Sequence, residues 1–181
     1  MMGSFMVRPL LYGLCLFFFS SCSRSEKTEL INPTYFDIKS YFINEASSLS
    51  VGKSLVLKEV NRNGEKEVKN ILIQDWEKEF DLFIQSDINK PSWTSSYKVE
   101  NLGDTTIYNA LTPNLRTRVI QIIKTNNEIN SILIKNESLN KLYKSYEYLT
   151  YYPDSTYIIE KVQQVRFLGE NNYKIIGTFN N

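Results

Sequence analysis

Apolar residues recur at three- and four-residue steps in two stretches of the chain and alternate with polar residues through most of the remainder. Tyr35, Ile38, Phe42, Ala46 and Leu49 fall on one side of a helix. The spacing predicts a helix over 34–49, with Pro33 at its start and Asn32 or Thr34 as cap. Such a face serves either a core or a partner, and the core use is the commoner one. Residues 54–60 and 65–73 read as strands around Asn61-Arg62-Asn63-Gly64, where Asn-Gly supplies the positive φ angles of a type I′ hairpin. A second helix is predicted over 76–86. Asp75 caps it, Trp76, Phe80, Phe83 and Ile84 point inward, and Glu77, Lys78, Glu79 and Asp81 face water.

Beyond the loop Asn89-Lys90-Pro91-Ser92 the period changes to two. Strands are predicted over 95–101, 105–111, 116–124, 128–135, 141–152, 156–168 and 172–179. Their turns carry Leu102-Gly103-Asp104, Thr112-Pro113-Asn114, Thr125-Asn126-Asn127, Pro153-Asp154-Ser155 and Gly169-Glu170-Asn171. Residues 156–168 also fit a helix through Ile158, Val162 and Val165; the β-branched side chains and flanking turns favour a strand. The expected fold class is α+β: a curved antiparallel β-meander of about seven to nine strands packed on an N-terminal helix and one inserted helix. Strong curvature would give a half-barrel around the helices. That shape is similar to the lipoprotein carriers of the outer membrane, an analogy of form alone.

The N-terminal stretch follows neither period. Arg8 precedes an apolar run from Leu10 to Phe19, and Ser20-Ser21 lead to Cys22. A basic residue, a short apolar core and small residues make a secretory signal. The run is too short to span a bilayer, which takes about 20 residues. Phe19-Ser20-Ser21-Cys22 resembles the lipobox of bacterial lipoproteins, with Phe where Leu is commoner. The resemblance implies cleavage before Cys22 and lipid on its thiol and new amino group. It divides the chain into a signal peptide (1–21), a flexible tether (22–32) and a single domain (33–181). Together with Ile88-Asn89-Lys90-Pro91-Ser92-Trp93, Ser96-Tyr97-Lys98-Val99 and Tyr152-Pro153-Asp154-Ser155, the chain resembles small outer-membrane lipoproteins of Bacteroidota. That resemblance implies location and no chemistry. The expected place is the outer membrane, lipid-anchored, on the periplasmic face. Ser23-Arg24-Ser25-Glu26-Lys27 matches a surface-export signal only in part.

Charge narrows the partners. The chain carries 21 basic and 20 acidic residues. Loss of the signal removes Arg8 and leaves 20 of each, with the signs interleaved. No basic patch for nucleic acid is evident. Histidine is absent, and the two cysteines lie in the signal and at the lipid site. Ser-His-Asp and Cys-His machinery, cysteine redox chemistry and zinc sites of the usual kind are thereby excluded from the mature domain. No phosphate-binding or dinucleotide motif is present, and no cofactor is implied.

The remaining candidates are aromatic and acidic. Alternation places Tyr146, Tyr148 and Tyr152 on one face of their strand, and Tyr143, Leu149 and Tyr151 on the other. Either face could hold a ligand-stacking platform, although tyrosine is also a common half-buried sheet residue. Trp93 follows Pro91 in a loop, as a ligand contact or a plug for the core. Asp75, Asp87, Asp104, Asp154 and Glu160 offer carboxylates for a glycosidase-like pair, and the first four also suit caps and turns. Arg116 and Arg118, on one face of a strand, could hold an anion or pair with Glu128 or Glu137. The expected role is a non-enzymatic binding or interaction domain for an envelope protein or an apolar ligand. A carboxylate hydrolase of envelope polymers and a structural accessory are the alternatives.

Overall fold

The computed structural model describes residues 34–52 and 55–180. The predicted signal, Cys22 and the tether lie outside these residues. Helix α1 (Ile38–Gly52) begins four residues later than its apolar periodicity suggests and runs three further. Its cap is Asp37, whose carboxylate accepts hydrogen bonds from the Ser40 backbone N–H and hydroxyl at 2.9 and 2.7 Å. Thr34 plays no such part, because Tyr35 and Phe36 are held in a non-helical path by Asn89. The Asn89 side chain accepts from the Tyr35 N–H and donates to the carbonyls of Tyr35 and Phe36. These bonds satisfy backbone groups that a buried non-helical segment would otherwise leave unpaired.

Strands β1 (Leu55–Arg62) and β2 (Glu65–Leu72) form a hairpin closed by Asn63 and Gly64 at φ +53° and +94°. This is the two-residue turn the Asn-Gly pair predicts. The second helical stretch divides into α2 (Trp76–Glu79) and α3 (Asp81–Ile84) at Phe80, whose ψ of 10° breaks the regular helix. Asp75 caps α2 by accepting from the Lys78 N–H. A single turn of 3₁₀ helix, Pro91–Trp93, then leads to the meander. Its strands are β3 (Tyr97–Leu102), β4 (Thr105–Ala110), β5 (Thr117–Thr125), β6 (Glu128–Leu139), β7 (Tyr143–Tyr152), β8 (Thr156–Val165) and β9 (Gly169–Phe179).

All nine strands of the described residues belong to one antiparallel sheet in the order β2-β1-β9-β8-β7-β6-β5-β4-β3. The α+β meander expected from the strand spacing is thus realised. The long-range step is β1 against β9, from Val56↔Phe179 to Arg62↔Tyr173. The sheet remains open, with β2 and β3 as edges. Residues 156–168 do not form one uninterrupted element. Β8 ends at Val165, and β9 starts at Gly169, three residues before the position predicted. The connection is therefore Arg166-Phe167-Leu168, and Gly169-Glu170-Asn171 is strand.

One face of the sheet takes the helices. Phe42 of α1 packs on Phe80 and Phe83 at centroid separations of 5.4 and 4.6 Å and on Tyr151 of β7 at 5.2 Å. Trp76 lies 5.7 Å from Phe179, and Tyr157 lies 5.6 Å from Phe80. Several of these pairs are edge-to-face, the arrangement ring quadrupoles favour. Two tyrosine hydroxyls in this core reach helix carboxylates: Tyr151 donates to Glu45, and Tyr157 donates to Glu79. Glu79 also takes both ends of a bidentate contact from Lys58. Buried phenols are satisfied in this way, and α1 and α2 are fixed in place above β7, β8 and β1.

Candidate functional site

The helix-bearing face is divided. Following each strand toward the end that carries the β6–β7 and β8–β9 connections, apolar side chains give way to polar ones. On β7 the series runs Tyr151, Leu149, Glu147, Ser145; on β8 it runs Tyr157, Ile159, Lys161, Gln163; on β6 it runs Ile132, Ile134, Asn136, Ser138. Strand alternation sets these members on one face, and pairing aligns them across the sheet. The aromatic half is filled by α1, α2 and α3. The polar half has the C-terminal end of α3 at its margin, where Ser86 accepts from the Asn136 amide at 2.8 Å.

Glu147 is the centre of this floor. Its side chain is 6% exposed and ion-paired on both oxygens, to Arg116 Nη2 at 2.6 Å and to Lys161 Nζ at 3.0 Å. The Asn136 amide lies 3.3 Å from the same Oε2 that Arg116 holds. Arg116 also donates to the Gln85 carbonyl at the end of α3. Two cations and one acid leave one formal positive charge in the cluster. Among the described residues, two buried atoms beside it have no hydrogen-bond partner: Asn136 Oδ1 and Ser145 Oγ. Buried polar atoms are nearly always satisfied, and an orphan costs about 1–3 kcal/mol. Such atoms are where an ordered water or a polar group of a ligand can be taken up.

The predicted site residues are distributed elsewhere. Tyr146, Tyr148 and Tyr152 share the opposite, helix-free face, with Tyr148 and Tyr152 44% and 40% exposed. Lys135 Nζ lies 5.6 Å from the Tyr148 ring centre. Trp93 is half-buried against the core, with Lys90 Nζ 4.1 Å above its ring and its carbonyl accepting from the Tyr35 hydroxyl. It plugs the β3–β4 side of the core. Cys22 lies outside the described residues. Arg116 and Arg118 separate, because a bulge between Thr117 and Val119 inserts Arg118 into the strand. Arg116 turns to Glu147, and Arg118 lies 3.7 Å from Glu137 and donates to the Thr112 carbonyl.

The carboxylates considered for hydrolysis have structural partners. Asp75 caps α2, and Glu160 pairs with Lys174 at 2.7 Å on the exposed face. Asp104 and Asp154 sit in turns, Asp154 at φ +55°. Asp87 is held above the usual carboxylate range by burial, against the stabilising hydrogen bonds it receives from the Asn89 side chain and from the backbone of Asn89 and Lys39. It anchors the start of α1.

Glu147, Asn136, Ser145 and Lys161 escaped prediction, although a signal for the first and third was present. In Tyr143-Lys144-Ser145-Tyr146-Glu147-Tyr148-Leu149-Thr150-Tyr151, Ser145 and Glu147 share parity with Leu149 and Tyr151. Polar residues on the buried parity of a strand mark a site or a network. No protein-family model, no curated protein and no solved structure matches the chain.

Proposed function

We propose that this chain is a lipid-anchored domain of the cell envelope that binds a polar ligand, without transforming it, on the floor formed by Arg116, Asn136, Ser145, Glu147 and Lys161. The observation that carries the reading is the pair of unpartnered buried atoms, Asn136 Oδ1 and Ser145 Oγ, beside the ion-paired Glu147. A polar ligand suits this floor better than the apolar one also expected from the sequence, because the neighbouring aromatic half is occupied by Phe42, Phe80 and Phe83. Binding is favoured over hydrolysis by the surroundings of Glu147. A paired-carboxylate hydrolase sets two acids across a substrate, whereas Glu147 faces two cations. The anchor is carried by the sequence at Cys22 and places the ligand at the membrane surface, where tethering raises the local concentration.

Ser145→Ala tests the site. It removes an unsatisfied hydroxyl, so the fold should be unharmed while a ligand contact is lost. The full chain would be purified from detergent-solubilised envelope and its bound small molecules compared by mass spectrometry. The expected result is a species retained by the wild type and lost from Ser145→Ala and Glu147→Gln. Identical retention by all three proteins would refute the reading. The anchor has a separate test: labelling with a palmitate analogue should vanish in Cys22→Ala.

A second reading is favoured by the opposite face. Tyr148 and Tyr152 are exposed there, and Ile158 and Ile176 lie side by side across β8 and β9. A face of this kind suits a structural accessory that docks on an envelope protein.

A further inference from the structure

The end of the sheet that carries the β6–β7 and β8–β9 connections exposes large apolar side chains on two adjoining loops. Phe167 is 90% exposed, Leu168 80% and Leu142 69%, and Leu139 is also exposed at the end of β6. The loops are joined to one another by the Arg166 N–H donating to the Leu142 carbonyl at 2.9 Å. Each is also braced internally. Asn140 Oδ1 accepts from the N–H groups of Leu142 and Tyr143, both at 2.8 Å, and the Leu168 N–H donates to the Val165 carbonyl. Their apolar side chains therefore project from a shaped tip.

Phe167 sits at φ +74°. A bulky residue there is uncommon and costs energy that glycine or asparagine would avoid. Neither replaces it here, so the chain holds a phenyl ring in water at a strained position. One cation lies against the ring and two more lie at the adjoining loop. The Arg166 guanidinium carbon is 5.0 Å from the Phe167 ring centre. An open hollow of about 480 Å³ between the loops is lined by Lys141, Lys144 and Arg166, with Glu170 as its acid. Hydrogen bonds from Gln164 and Asn172 hold Glu170 below the usual carboxylate range, so it stays charged. The balance is still two formal positive charges.

We infer that this tip inserts into a phospholipid surface bearing anionic headgroups, with Phe167, Leu168 and Leu142 among the acyl chains and Lys141, Lys144 and Arg166 on the phosphates. Exposed apolar side chains on braced loops, with basic residues beside them, match the two zones of a bilayer interface. A second copy would have to set three cations against three cations, and charge argues against that arrangement. The inference concerns a different part of the molecule from the polar floor and holds or fails separately from it.

The test uses tryptophan as a depth probe in the full chain. Phe167→Trp and, as a control on the helix-free face, Leu57→Trp are mixed with vesicles of phosphatidylglycerol and phosphatidylcholine carrying brominated acyl chains. The wild-type signal from Trp76 and Trp93 is subtracted. Any contribution of the N-terminal segment is common to all variants. The expected result is a blue shift and strong quenching for Phe167→Trp and little for Leu57→Trp. Replacing Lys141, Lys144 and Arg166 by Glu in the Phe167→Trp protein, or using phosphatidylcholine alone, should remove the quenching. In full-length protein carrying no acyl chains, Phe167→Ala should weaken co-sedimentation with the anionic vesicles roughly tenfold, as expected for one large apolar side chain. Equal quenching of the two probes, or quenching that ignores lipid charge, would overturn the inference. A blue shift without vesicles that grows with protein concentration would also overturn it, by showing that another copy covers the tip.

Discussion

At the scale of single residues, the strongest claims concern atoms that lack partners or space. Ser145 is buried with an unsatisfied hydroxyl. Ser145→Ala should leave unfolding free energy unchanged or raise it by up to about 1 kcal/mol, measured by denaturant titration. A loss of that size would mean that the hydroxyl has a partner in the folded protein. Gly177 is the opposite case. A Cβ there would lie 2.1 Å from the Tyr157 ring, which is itself bonded to Glu79. Gly177→Ala should therefore cost about 3 kcal/mol through overpacking, and a cost below about 0.5 kcal/mol would show that the ring moves freely. Asp87 gives a pH test. Burial raises its folded pKa above the unfolded value, so the folded state binds the proton more tightly. Its contribution to stability is full below the unfolded pKa and is lost as pH rises through the folded one. The stability difference, wild type minus Asp87→Asn, should accordingly shrink from acid toward neutral pH.

At the scale of elements, the pattern of apolar and polar residues was most informative where local chemistry decides the outcome. Asn63-Gly64 forms its two-residue turn because those residues tolerate positive φ. Asp75 caps α2 because its carboxylate reaches the Lys78 N–H. Asp75→Ala should cost about 1 kcal/mol in thermal or denaturant unfolding. Tertiary contacts decide the elements that depart from the apolar periodicity. The non-helical path of Tyr35 and Phe36 depends on Asn89, more than fifty residues away, and delays α1. The break at Phe80 lets both Phe80 and Phe83 enter the core while Glu79 reaches Lys58 and Tyr157. The apolar character of Phe167 and Leu168 predicts strand, because apolar residues normally leave water; here they stand in it, exposed at the tip.

At the scale of the whole molecule, the open sheet of nine strands creates one face with two halves. Burial raises the pKa of Tyr97 to about 12 and lifts Tyr41, Tyr108, Tyr151 and Tyr157 as well. A tyrosine whose folded pKa exceeds its unfolded value stabilises the fold until pH passes the unfolded pKa near 10, and that stability is lost as pH climbs toward the folded value. Absorbance titration should therefore show these five tyrosines ionising together with unfolding, above pH 10. The aromatic half of the face was legible in the spacing of Phe42, Phe80 and Phe83. The polar half was not, because it is assembled from β5, β6, β7 and β8 by pairings that periodicity alone does not specify.

A ligand that meets the polar floor can be trapped there. A photo-crosslinking amino acid placed at Gln163, beside Ser145 on that floor, and another at Tyr148 on the opposite face would be activated in the intact envelope. The account predicts a discrete adduct at Gln163 that disappears in Ser145→Ala and Glu147→Gln. An adduct at Tyr148 with none at Gln163 would contradict it and would move the functional surface to the helix-free face.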